Sequence, residues 1–133
     1  MKLTFFKCHN FINTLTLAAN FLDPKLIYTA SEAMKLKVSW TKVTVDSEWT
    51  YFGDGNEVNR GVVEDSMNSH FTDNASLYVS TTRQQSFEAN KSETIEQIEE
   101  LLGKESFFIW DTKFRKVIEF NRIGVMRRGQ VSS

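Results

Sequence analysis

Cysteine and proline are almost missing from this chain, histidine is scarce, and no long apolar run interrupts it. The single cysteine, Cys8, excludes an intramolecular disulfide framework and suits a reducing compartment, where a buried, inert thiol is expected. The single proline, Pro24, leaves no proline-rich linker, and no repeat or low-complexity segment is visible. The two histidines, His9 and His70, lie too far apart for the local spacing of a metal site. No segment approaches the roughly 18–20 consecutive apolar residues that a membrane-spanning helix requires. At the N-terminus Lys2 precedes apolar residues as in a signal peptide. Lys7, His9, Asn10 and Asn13 break that run, and no small-x-small cleavage pattern follows. A cytoplasmic location is expected.

What is present is apolar, aromatic and charge-segregated. The chain has 133 residues, 41% of them hydrophobic and 13% aromatic, including eleven Phe and three Trp. That size predicts one globular domain spanning residues 1–133, with enough apolar material for its own core. The net charge of −1 conceals blocks of opposite sign. Residues 1–43 carry +4, residues 44–73 carry −6, residues 74–103 carry −3 and residues 104–133 carry +4. Blocks of this kind can place opposite potentials on different faces of a nearly neutral protein.

Hydrophobic spacing divides the chain into elements. Phe11, Leu15, Ala18 and Leu22 recur on one face of a helix over about Asn10 to Leu22. Asp23-Pro24 then opens a second short helix bearing Leu26, Ile27, Ala30, Ala33 and Met34. From Lys35 the period becomes two, through Leu36, Val38 and Trp40. Val43 and Val45 continue it with shifted parity, predicting a β-bulge or bend near Thr41–Lys42. Gly53-Asp54-Gly55-Asn56 marks a turn, with Glu57–Val63 as its returning strand and Glu64–Asn74 as a polar loop. Ala75–Thr82 and Gln85–Ala89 read as strands. Asn90 and Glu93 have the spacing of a capping box, ahead of a helix that buries Ile95, Ile98, Leu101 and Leu102 and ends at Gly103. Phe107–Trp110, Phe114–Phe120 and Gly124–Arg128 read as an antiparallel meander, with Asn121–Gly124 as its last turn. The expected fold is α+β: helices on one face of an antiparallel sheet of about five or six strands, with N-terminal helices and one helix before a C-terminal three-stranded meander.

No nucleophile–base–orienter set is evident, and Gly53 and Gly55 lack the Lys-Ser/Thr pair of a phosphate-binding loop. Neither an enzyme nor a cofactor or metal site is expected. Acids in a pocket, drawn from Asp46, Asp54 and Asp65, would be the enzymatic alternative. Two clusters remain. The first surrounds Trp49 and Tyr51 with Asp46, Glu48, Asp54, Glu57, Glu64 and Asp65, a mixture of rigid aromatic anchors and steering charges that suits a protein partner. Its structural alternative is an ordinary hairpin with Trp49 and Phe52 in the core. The second is basic: Lys113, Arg115, Lys116, Arg122, Arg127 and Arg128, near Trp110 and Phe114. It reads either as the charged side of a sheet or as the nucleic-acid face of a small accessory or phage-borne module.

The stretch from about Thr94 to Gly129 carries an acidic helix, Gly103, FFIWD (Phe107–Asp111), VIEFN (Val117–Asn121) and IGVMRRG (Ile123–Gly129). It resembles small bacterial immunity proteins of polymorphic toxin systems, including those of contact-dependent growth inhibition. The resemblance implies a non-enzymatic role: binding one cognate protein toxin, often a nuclease, and occluding its active site or substrate path. A basic nuclease cleft would then meet the acidic segment Asp46–Asp65.

Overall fold

A computed structural model describes residues 24–53, 57–72, 76–82 and 85–131. The helix expected over Asn10–Leu22, the cap at Asp23, and Cys8 and His9 lie outside the described residues. Helix α1 (Pro24–Met34) buries Ile27, Ala30, Ser31 and Met34, the i, i+3, i+4, i+7 stripe of an amphipathic helix. One 3₁₀ turn, Lys35–Lys37, follows. Next come β1 (Val38–Trp40), β2 (Thr50–Tyr51), helix α2 (Arg60–His70), β3 (Ser76–Ser80) and β4 (Phe87–Asn90). Helix α3 (Lys91–Ile98), β5 (Phe107–Asp111), β6 (Lys116–Asn121) and β7 (Val125–Val131) complete the order.

The strands form one seven-stranded sheet in the order β1-β7-β6-β5-β3-β4, and every pairing in it is antiparallel. The fold is therefore α+β, with the C-terminal meander where the apolar runs FFIWD and VIEFN place it. Both β1 and β2 pair with β7. Val38–Trp40 lie against Gly129–Val131, and Thr50 and Tyr51 lie against Met126 and Val125. One strand thus receives two short partners in line, with residues 41–49 looping out between them. The meander's last turn forms as expected, with Gly124 at φ 99° and its N–H donating to the Asn121 carbonyl at 3.0 Å.

Helices cover both faces of the sheet, not one. Alternate residues of a strand point to opposite sides. Phe107 and Ile109 join Leu77, Val79, Ile118, Phe120 and Met126 in a core closed by Val63 and Met67 of α2 and Ile95 and Ile98 of α3. Trp110 and Val117 join Tyr78 and Phe114 in a second core beneath Ile27, Ala30 and Met34 of α1. The Trp110 indole N–H donates to the buried Ser31 hydroxyl at 2.8 Å and fixes α1 on that face. Phe114 does not begin a strand. It sits in the β5–β6 turn at φ +54°, fully buried, with ring centroids 5.4 Å from Trp110 and 5.2 Å from Tyr78. The Asp111 carboxylate accepts from the Arg115 and Lys116 N–H groups at 2.7 and 2.9 Å and holds that turn.

Three local expectations are corrected. The returning strand Glu57–Val63 and the loop Glu64–Asn74 give way to α2, whose first turn is capped by Asn59 accepting from Val62 N–H at 3.2 Å. Gly53 and Val58 still form a bridge around the expected turn. The alternation from Leu36 is strand only over Val38–Trp40: Leu36 is 83% exposed, and Val43 and Val45 lie in the excursion. At α3, Asn90 occupies the cap position without a side-chain bond to the helix backbone. Its amide instead donates to Glu93 at 3.3 Å. The helix expected to run to Gly103 stops at Ile98, and residues 99–103 continue as turns in which Gly103 takes the expected positive φ of 74°.

Candidate functional site

The excursion between β1 and β2 is the most irregular feature of the described sheet. Thr41 N–H still donates to the Arg128 carbonyl at 2.7 Å, after which the chain leaves the ladder. Val43 and Thr44 N–H groups both donate to the Ser47 carbonyl, at 3.0 and 3.1 Å, and Trp49 N–H donates to the Ser47 hydroxyl at 3.0 Å. These bonds close a compact strap over Thr41–Trp49.

Arg127, projecting from β7, anchors the strap. Its guanidinium carbon lies 3.9 Å from the ring centroid of Trp40 at the strap's start and 4.5 Å from that of Trp49 at its end. It donates at 2.8 Å to Glu48 on the strap and at 2.8 Å to Glu119 on β6. All four partners are shielded in part from water. A cation held between two indoles and two carboxylates loses little to solvent screening and fixes both ends of the strap.

On the other face, a cleft of about 230 Å³ opens between the strap, β7 and α2. Val43, Thr50 and Met126 supply apolar walls, Ser66 and Ser69 hydroxyls, and Glu48, Asp65, Arg127 and Arg128 charges. Arg128 donates to the Ser69 hydroxyl at 3.2 Å. Asp65 is exposed and forms no ion pair among the described residues.

The residues expected to bind a partner separate by role. Asp46 is exposed on the strap, and Tyr51 is 65% exposed on β2. Glu57 is exposed before α2, and Asp54 lies outside the described residues. Glu48 and Trp49 are half-buried and engaged with Arg127. Glu64 is paired with Arg60 at 2.8 Å, and Arg60 also lies 3.5 Å from Glu99. Glu48 and Asp65 alone of the set meet at the cleft. The basic cluster does not form one patch. Lys113 and Arg115 sit at the β5–β6 turn, Arg122 at the β6–β7 turn, and Arg127 and Arg128 project to opposite faces.

His70, last in α2, has Nε2 2.9 Å from the Gly129 carbonyl. Burial lowers its pKa, the bond to Gly129 opposes that, and nearby Arg128 and Lys116 lower it further. On the α1 face, burial pushes the Tyr78 phenol up to about 12, with Glu88 contributing, and burial also raises Glu88. The described residues contain no group of three or more His, Cys, Asp or Glu able to hold a metal ion, and no helix among them is long and apolar enough to cross a membrane. Comparison of the chain with family models, curated proteins and solved structures gives no match.

Proposed function

We propose that this protein binds a cognate protein toxin, of nuclease type, and neutralises it by occluding the active site or substrate path, using the sheet edge formed by β1, the strap and β2. One observation carries the reading. Of the five exposed large hydrophobic residues among those described, Val43, Val45 and Tyr51 lie on this edge, and Leu36 and Ile123 sit in the turns just before β1 and between β6 and β7. Leu36 precedes β1, Val43 and Val45 ride the strap, and Tyr51 is on β2. Ile123 lies beside β2, because Phe52 N–H donates to the Gly124 carbonyl at 2.8 Å. Exposed apolar side chains clustered on a sheet edge mark an interaction surface. Asp46, Glu57 and Asp65 border them, and carboxylates bordering apolar anchors steer a basic partner. The immunity-protein resemblance of the C-terminal third supports the toxin as that partner.

The test is co-expression with the C-terminal domain of the polypeptide encoded immediately upstream of this gene. Restored growth and a stable complex are expected. Substituting Val45, Asp46 and Tyr51 together by Ala should weaken that complex at least ~10-fold, the effect of losing about 1.4 kcal/mol of binding. Absence of both rescue and complex would overturn the reading, and full affinity in the triple variant would remove the edge from it.

A further inference from the structure

We infer that the end of the sheet where the β5–β6 turn meets the start of β1 is a second binding surface, one that takes the phosphodiester backbone of a nucleic acid. This goes beyond the neutralisation reading and does not depend on it. Half of the basic cluster comes together here, joined by Lys37. Val131 N–H donates to the Arg115 carbonyl at 2.7 Å, Lys116 is in register with Gln130, and Val131 is in register with Val38. The turn bearing Lys113, Arg115 and Lys116 is thereby set beside Lys37, the residue immediately before β1.

Charge decides the sign of the occupant. Lys37, Lys113 and Arg115 are exposed, and Lys116 is half-buried. Lys113, Arg115 and Lys116 form no ion pair among the described residues. The segments that meet here, residues 32–40, 111–116 and 129–131, hold two acids. Glu32 is matched by Lys35 at 2.8 Å. Asp111 is buried, its carboxylate turned onto the N–H groups of Arg115 and Lys116. Counting Asp111 in full, four remaining cations against one carboxylate leave an excess of three positive charges. Beyond burial, Lys116 and Arg128 both lower the pKa of His70, which marks positive potential on the α2 side as well. The character of the surface then selects nucleic acid over an acidic protein. Protein interfaces centre on apolar anchors, and here Leu36 stands alone among the exposed large hydrophobics. Nucleic-acid contacts are more polar and more cationic, and their lysines and arginines displace counterions condensed on the phosphates. Glu99, Glu100 and Glu105 lie at the opposite end, in the turns before β5, so a polyanion approaches basic end first.

The probe is a fluorescein-labelled DNA duplex of about 20 base pairs, titrated with the full chain and followed by anisotropy at ~50 and ~200 mM salt. A dissociation constant of roughly 1–100 µM is expected at the lower salt, the range of non-specific duplex binding. Neutralising three phosphates makes the affinity fall about 40-fold between the two salts. Lys113→Gln with Arg115→Gln should weaken binding at least ~10-fold and reduce the salt slope by about 2. Lys104→Gln with Arg122→Gln changes the net charge equally at the opposite end and should leave affinity within about 2-fold. All four side chains are exposed, and an unchanged denaturation midpoint confirms the fold of each variant. Poly-L-glutamate at equal charge concentration should displace the duplex poorly, because the duplex carries one charge per ~1.7 Å and an extended peptide one per ~3.4 Å. No binding at the lower salt, an affinity indifferent to salt, equal weakening by the opposite-end pair, or equal competition by polyglutamate would each overturn the inference. No toxin takes part in this measurement, so its failure and the failure of the rescue experiment are distinguishable.

Discussion

Arg127 joins Glu119 on β6 to a part of the chain remote in sequence, Trp40 on β1 with Glu48 and Trp49 on the strap. Replacing it with Met keeps much of the stem but leaves two half-buried carboxylates without their counter-charge. Arg127→Met should lower stability by about 2 kcal/mol and red-shift tryptophan emission. Arg127→Lys should fall between, because an ammonium cannot serve both carboxylates and both rings in one plane. Urea denaturation measures the first effect, and an unchanged midpoint would show that the clamp contributes nothing. His70 acts by a different route. Its pKa in the fold is depressed below the ordinary 6.5, so between the depressed value and 6.5 the unfolded chain binds more protons than the folded one. Its contribution to stability is therefore complete above about 6.5 and is lost as pH falls through that window. His70→Gln should flatten this dependence. Comparing the two proteins at pH 7.5 and 5 isolates His70, because the raised Glu88 is common to both.

Among the elements, the meander was the most legible, because FFIWD and VIEFN are short, near-continuous apolar runs of strand length, as a sheet covered on both faces requires, and Gly124 supplies a positive φ where the turn requires it. Helix α2 was not legible. Only Val62, Val63 and Met67 are apolar within Arg60–His70, and the preceding Gly-rich turn argued for a hairpin return. Asn59, three residues before Val62, was the overlooked signal, since a side-chain oxygen at that spacing caps a helix. Asn59→Ala should cost about 1 kcal/mol and accelerate amide exchange in the first turn of α2, while β5 and β6 keep their protection. Equal acceleration across the sheet would show that α2 does not open as a separate unit. The parity shift at Thr41–Lys42 announced a departure from the ladder but not its length, because the strap is held by pairings such as Arg127 with Glu48, 79 positions apart.

For the whole molecule, composition and period were enough for an α+β domain, whereas the two-sided layering was not. Helix stripes state that a face is buried but not against which side of a sheet. That assignment came from nonlocal fits such as Trp110 onto Ser31. The acidic block at residues 44–73 likewise signalled a surface, but two of its charges, Glu48 and Glu64, are paired within the chain, with Arg127 and Arg60. The two jobs separate along the chain: clamp residues Trp40, Glu48, Trp49 and Arg127 fix the strap, and Val43–Asp46 form its tip. Exchanging Val45-Asp46 for Gly-Ser should leave the denaturation midpoint almost unchanged, within ~0.5 kcal/mol, while altering partner binding. A large drop in the midpoint would show that tip and clamp are one cooperative structure. Because β7 grips the chain on both sides of that tip, its wording can be rewritten without renegotiating the fold. Such a scaffold lets its contact chemistry change one short peptide at a time.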